Sequence, residues 1–363
     1  MSVHRSLIPT TSNPLLERAL RGKLERRNES VGRLGELEPL AVRLGLMQNT
    51  LKPRLRNPQL LVFASDHGLA VDGLGHPSRR STAEQVHQLL RGQMPMAVFA
   101  RIQSLELTLV DAGVSDRLQP HEGLLMRKIA HGTRNARVAM AMSLDQTHAA
   151  IRAGMEIGDQ LRGNVVACAG IGVGSHESAA LVLSRLANAP IRDLVMSGPR
   201  MDPNQLAHLM VVMQGALGRH KDVADPVEVL AAFGGFEMAM MVGMMLVAAG
   251  KRHLIMVDGM AACAALLAAS RIAEAVTDYC VFSRSHSHLG LDQALRLFRS
   301  TALLELGMES LDGTGATLAW PLVRSAAALL TEVAEGDEAG PSRPTGMLSE
   351  PAELTGPETI PSK

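Results

Sequence analysis

The sequence predicts an α/β fold, a mainly parallel sheet with helices on both faces. Two features carry that expectation: short apolar runs that each end in an Asp- or Gly-bearing loop, and helical segments between successive runs. A third, the 46% apolar content of 363 residues, supplies enough material for a large buried core.

In chain order, residues from about Asn13 to Gln48 place apolar side chains at helical spacing among many charges, with a break near Asn28–Gly32. This predicts two amphipathic helices outside the main core. Asn57 and Pro58 lead into Leu60–Ala64, an apolar run ending at Ser65-Asp66-His67-Gly68, which reads as a buried strand and a polar loop at its C-terminal end. The same grammar recurs at Leu105–Val110 before Asp111-Ala112-Gly113 and at Asn164–Ala167 before Gly170-Ile171-Gly172. It returns at Leu254–Val257 before Asp258-Gly259, and at Tyr279–Phe282 before Ser283. Helices are expected over Ala83–Leu105, Ser143–Leu161, His176–Ala187, Pro203–Leu217, Pro226–Ala249 and Ala261–Ala273. Leu289–Glu335 is helical in pattern, interrupted by the turn-forming Leu311–Gly315. From Gly336 the chain is rich in Pro, Gly, Ser and Glu with little to bury, and it reads as a disordered tail. Ligands of such sheets bind beyond the carboxyl ends of the strands, so the functional site is expected among those loops.

Composition narrows the function. Lys+Arg equals Asp+Glu at 36 each, which argues against nucleic-acid or membrane-surface partners, since both favour a basic excess. At 2% aromatic content, stacking platforms for bases are scarce. The 21 methionines read as helix-core filler rather than a metal box. Cys168, Cys263 and Cys280 form no CxxC pair, which suits a reducing cytosol and excludes a zinc framework. The start lacks a signal-peptide pattern, and the apolar stretch Met238–Ala249 is only about two-thirds of what a membrane helix needs. A cytoplasmic protein is expected.

Three segments carry chemistry. Gly170-Ile171-Gly172-Val173-Gly174-Ser175 lies between a strand and a helix, where glycines let backbone N–H groups approach a phosphate. A tight turn without ligand competes equally, and Ser175 reads equally as a helix N-cap. Asp312-Gly313-Thr314-Gly315 sets a carboxylate on a Gly-flanked turn, a general base if its surroundings tune it, with a surface turn as the competing reading. Asp66-His67-Gly68 is a third candidate, against a structural Asx-turn. His286 and His288 form an isolated pair, weak grounds for a metal, so no metal and no cofactor are expected.

Read together, the segments resemble one family. They are Ser30–Glu38 (SVGRLGELE), Phe63–Pro77 (FASDHGLAVDGLGHP) with Ser81-Thr82-Ala83-Glu84, Leu107–Val114, Gly132–Asn135, Gly170–Gly172, Asp225-Pro226 with VLAAFGGFEMA, Met256–Ala268, and LLELGMESLDGTGATLAWPL. This order is similar to that of the nicotinate-nucleotide:dimethylbenzimidazole phosphoribosyltransferases of cobalamin lower-ligand synthesis, from about residue 15 to 332. The resemblance implies a small helical domain formed from both chain ends (1–55 and 286–335), an α/β nucleotide-binding domain (56–285) and a homodimer, with the compositional tail (336–363) beyond it. It also implies a reaction in which an aromatic base displaces nicotinate from C1′ of nicotinate mononucleotide, giving an α-ribazole phosphate. The leaving pyridinium departs as a neutral ring, so the step needs a proton acceptor, a phosphate anchor and aligned geometry.

The resemblance makes Asp312 the catalytic base. It makes Gly170, Ile171, Gly172, Gly174 and Ser175 the phosphate loop, Glu84 the acceptor-facing residue, and Gly313, Thr314 and Gly315 further substrate contacts. Departures cluster at ligand-facing positions. Asp312 stands where the family has Glu, Glu309-Ser310-Leu311 where it has Arg-Leu-Gly, and Glu84 where it has Gln. Leu209 replaces a Lys, and Arg200 of Ser197–Arg200 is a candidate substitute charge. The segment His286–Leu291 replaces Ser-Ala-Glu-Pro-Gly-His. Two functions follow: a phosphoribosyltransferase acting on dimethylbenzimidazole or a related base, or an impaired paralogue that partners an active family member, as a heterodimer.

Overall fold

A computed structural model describes residues 8–74, 80–195 and 202–334, so Ser197–Arg200, Gly75–Pro77 and the tail from Gly336 lie outside the described residues. Six strands form one sheet: β1 (Gln59–Ser65), β2 (Glu106–Gly113), β3 (Leu124–Met126), β4 (Val165–Ile171), β5 (Leu254–Asp258) and β6 (Cys280–Ser283). Their order is β3-β2-β1-β4-β5-β6, and every neighbouring pair is parallel. Every residue of β1, β4, β5 and β6 is buried, so both faces of the sheet are covered, as the continuous apolar runs predict.

The helices are α1 (Pro14–Val31), α2 (Leu37–Gln48), α3 (Thr82–Leu90), α4 (Pro95–Ile102), α5 (Leu144–Asp159), α6 (Ser175–Ala187) and α7 (Ile191–Val195). They continue with α8 (Pro203–Arg219), α9 (Pro226–Phe233), α10 (Phe236–Gly250), α11 (Met260–Ile272), α12 (Leu289–Leu297) and α13 (Thr314–Thr331). Two expected helices are each split. Ala83–Leu105 becomes α3 and α4, because Gly92 turns the chain with a positive φ and Pro95 starts a new helix at its first position. Pro226–Ala249 becomes α9 and α10, because Gly234-Gly235 adopt extended backbone between them. The last helical region also differs. After α12 ends at Leu297 an irregular segment returns beside residues 285–287, held by Ser287 N–H to Met308 O (3.2 Å) and Ser310 N–H to Ser285 O (3.1 Å). The sequence pattern does not reveal β3 or α7, each too short to carry a period.

Helices from the two chain ends meet. α1 and α2 pack on α13, and the Lys23 Nζ donates to Leu330 O at 2.8 Å while Arg27 donates to Leu329 O. The methionines of α10, Met238, Met240, Met241, Met244 and Met245, are all fully buried, as core filler should be. All three cysteines are free and buried. No helix among the described residues is long and apolar enough to cross a membrane.

Where α5 packs on α10, glycine removes the obstacle to close approach. A Cβ added at Gly154 would stand 1.9 Å from the Met240 carbonyl oxygen, which belongs to backbone and cannot swing aside. Gly154→Ala is therefore expected to cost about 1–3 kcal/mol through overpacking and to lower the thermal midpoint. Gly218→Ala, at a helical glycine with nothing within 4 Å, should leave the midpoint unchanged or raise it. Parallel thermal melts of the two variants check both.

Candidate active site

A cavity of about 590 Å³ opens at the C-terminal end of β4, next to the point where strand order reverses between β1 and β4. Both its position and its size suit a small-molecule ligand. Its wall takes Gly170–Val173, Ser175 and His176 from the end of β4 and the start of α6, Arg80 from before α3, Gln85 and Gln88 from α3, His286 from between β6 and α12, and Glu309–Asp312 from the segment before α13.

Two buried carboxylates organise the floor of the cavity. Asp258 ends β5, and its Oδ2 accepts three hydrogen bonds, from Ser285 Oγ (2.8 Å), Gly313 N–H (3.1 Å) and Ala316 N–H (2.8 Å). It thereby holds the first turn of α13, whose leading N–H groups have no intrahelical partner. Asp312 sits just before that turn with its carboxyl laid on Gly259. A Cβ at Gly259, whose φ is +91°, would come within 2.0 Å of the Asp312 carboxyl carbon. Only glycine leaves room.

Asp312 lies between two imidazoles. His176 Nε2 is 3.1 Å from Oδ2, and His286 Nδ1 is 3.2 Å from Oδ1. The two rings stack at 4.9 Å between centroids, and His288 meets both edge-on at 5.7 Å. Of the trio, His176 is the open member, with 27% of its side chain exposed against 1% for Asp312. Burial alone would raise the Asp312 carboxyl, but His286 and His176 outweigh it and hold the group well below the usual carboxylate range. Burial disfavours the charged form of His286, and Asp312 outweighs that and raises its pKa. Burial, followed by the like charge of Asp312, pushes Asp258 from 3.8 up to about 6.

The chain is similar to known proteins throughout its described length. A family model described as a phosphoribosyltransferase matches residues 10–340. The chain belongs to that family. The nicotinate-nucleotide–dimethylbenzimidazole phosphoribosyltransferase of Cupriavidus taiwanensis is 41% identical over 330 residues, 90% of this chain and 95% of that one. The enzyme of the same name from Cupriavidus necator is 40% identical over 336 residues, 92% of this chain and 97% of its own. The crystal structure of CobT from Thermus thermophilus matches with a TM-score of 0.83 at 29% identity, covering 91% of this chain and 100% of that one.

Within this family fold, the expected site residues divide. Asp312, Gly170, Ile171, Gly172 and Ser175 do line the cavity. The loop is also a packing device: a Cβ at Gly172 would strike Ser65 O at 1.8 Å, and Val173 N–H is already taken by Thr82 Oγ1 at 3.0 Å. Ser175 is not the N-cap; Gly174 holds that position, in left-handed backbone, and is not on the cavity wall. The Ser175 hydroxyl instead donates to Glu237 Oε1 (3.1 Å), which also meets His67 Nε2 at 2.8 Å. Burial lowers His67, and Glu237 outweighs it, so the pair is a buried brace rather than a loop base. Asp66 likewise ties loops together, accepting from Thr82 Oγ1 (2.5 Å) and Ser115 N–H (2.7 Å).

Glu84 does not reach the cavity. Its carboxylate closes the α3 capping box, accepting from Ser81 N–H at 2.8 Å, and the cavity-facing side chains are Gln85 and Gln88. Gly313, Thr314 and Gly315 also turn away from the cavity. Gly313 N–H goes to Asp258, Gly315 N–H to Ser285 Oγ at 2.8 Å, and Thr314 Oγ1 donates to Leu311 O at 2.8 Å. Sequence reasoning missed His176, Ser285 and Arg80. Only the position of His176 directly after the glycine loop hinted at a role.

Asp258 gives a pH signature. Its raised pKa means the folded state holds the proton more tightly than the unfolded chain does. Its contribution to stability is therefore complete below 3.8 and is lost as pH rises through about 6. Asp258→Asn keeps one acceptor oxygen and removes the titration. The stability of the wild type minus that of this variant should fall as pH rises from 3.8 to about 6, measured by denaturant unfolding across that range. A flat difference would show that Asp258 titrates like an exposed carboxyl.

Proposed function

We propose that this chain transfers the phosphoribosyl group of nicotinate mononucleotide to dimethylbenzimidazole or a related aromatic base, giving an α-ribazole phosphate and nicotinate. What carries the reading is Asp312, a buried carboxylate paired with a cavity-facing imidazole, in a family member whose 40–41% identical relatives bear that enzyme name. A ring-nitrogen lone pair of the acceptor forms the new bond to C1′. The bond from C1′ to the nicotinate nitrogen breaks, its electron pair leaving on nicotinate. The acceptor's N–H proton passes to the Asp312–His176 pair.

His176 is the member of that pair with an open face, which offsets the reach that Asp lacks relative to Glu, about 1.5 Å for one methylene. Such a placement matters, because general-base transfer works over hydrogen-bond distances. Arg80 places a cation on the cavity wall, and we assign it the phosphate, beside the Gly170–Gly172 backbone. To Gln85 and Gln88, cavity-lining amides that both donate and accept, we assign contact with the acceptor ring. The family resemblance carries a cytoplasmic homodimer with it.

Purified protein given nicotinate mononucleotide and dimethylbenzimidazole should release nicotinate, followed by chromatography. Asp312→Asn should slow release by about 10²–10⁴-fold, with a much smaller change in the KM for the nucleotide. Release at the wild-type rate from that variant would remove Asp312 from the chemistry.

A further inference from the structure

We propose that His176, His286 and Asp312 form a binding site for one divalent first-row transition-metal cation on the cavity wall. The expectation of no metal rested on His286 and His288 as an isolated pair. The fold adds what the sequence could not show, by bringing His176 from the start of α6 and Asp312 from before α13 onto His286.

The donor set fits the cation class. Two imidazoles and one carboxylate suit zinc, iron(II) or manganese, and three protein ligands leave a position open for a small molecule. The distances fit as well. Ligand atoms around a four-coordinate zinc stand about 3.4 Å apart, given bonds of about 2.1 Å. His176 Nε2 stands 3.1 Å from Asp312 Oδ2 and His286 Nδ1 stands 3.2 Å from Oδ1, contacts on different carboxylate oxygens. One ligand atom from each of the three residues can be taken so that all lie within 4.8 Å of one another. On binding, the set would contract from within 4.8 Å toward the spacing of about 3.4 Å.

Two independent observations point to a cation here. First, His286 is buried, yet Nδ1 and Nε2 have no hydrogen-bond partner among the described residues, and Asp312 Oδ1 is in the same condition. Nδ1 and Oδ1 approach each other as an ion pair without the alignment of a hydrogen bond. Buried polar atoms are seldom left so, and a metal on Nδ1 and the carboxylate would engage two of these three. Second, Asp258 and Asp312 place two carboxylates in one buried region. Among the described residues no Lys or Arg forms an ion pair with either. A divalent cation would add to the counter-charge of the two imidazoles where the carboxylates are shielded from water. His288, buried and edge-on to both rings, backs the pair.

The cation and an acceptor's proton would claim the same lone pairs, so the metal-bound form is a separate state of the site. Tag-free full-length protein, stripped with a chelator and dialysed, is titrated with Zn²⁺ by calorimetry beside His176→Ala and His286→Ala. The expected result is one zinc per chain, with each variant weakening binding by at least about 100-fold, as loss of even an outer partner costs 10–100-fold. No binding, or wild-type affinity in both variants, overturns the proposal. Zinc K-edge absorption on the wild type needs no variant. Scattering from two imidazoles is expected, and a sulfur shell or an absence of imidazole overturns it. Neither readout uses turnover, so the outcome is decided separately from the transfer reading.

Discussion

The site depends on one hydrogen-bonding centre, the Asp258 carboxylate at the end of β5. One of its oxygens takes the Ser285 hydroxyl and the amides of Gly313 and Ala316, so two distant segments, the one after β6 and the start of α13, converge on a single atom. The amides belong to the first turn of α13, where the helix's own partial positive charge favours an anion. Asp258 thus serves as an anion at a helix N-terminus, supplied by the protein rather than by a ligand. Because that turn is pinned, Asp312 immediately before it has one place to lie, on the bare backbone of Gly259. Asp312 is buried there rather than on the surface turn that is the competing reading of its sequence.

The same arrangement stores electrostatic tension. Asp258 and Asp312 are like charges in one buried region, and the consequence appears as opposite displacements: Asp258 pushed up to about 6, Asp312 held well down by its histidines. One carboxyl is built to hold a helix and the other to stay ionised. Neutralising partners had to come from outside the helix, and they come as imidazoles from the first turn of α6 and the segment after β6 rather than as Lys or Arg. An imidazolium can lose its proton and ligate a metal, and a neutral imidazole can take a proton from a substrate, while a guanidinium can do neither. The choice of histidine therefore leaves the cavity chemically open.

Much of the fold was legible because it rests on burial. Continuous apolar runs marked five of six strands, and their loops marked the end of the sheet where the cavity lies. What was lost were features without periodicity. β3 contributes three residues and pairs only with Leu109–Asp111. The breaks at Gly92 and Gly234-Gly235 sit inside patterns that otherwise read as continuous helices. The irregular return between α12 and α13 is held by backbone hydrogen bonds to residues 285–287, which leave no mark on side-chain hydrophobicity.

The site was legible only in part, for a related reason. A glycine loop and a Gly-flanked Asp advertise themselves by local composition, and both reach the cavity. What their atoms bond to does not show in composition. The amides of Gly313 and Gly315 look ready for a ligand until Asp258 and Ser285, distant in sequence, are seen to hold them. Glu84 looks like a pocket residue until Ser81 is seen to close a capping box with it. His176 shows the converse, since a histidine beside a glycine turn is ordinary in sequence and becomes the open face of a buried carboxylate in the fold. Backbone demand is local and readable, whereas side-chain partnership across the sheet edge is set by topology. The chemistry of this cavity is of the second kind.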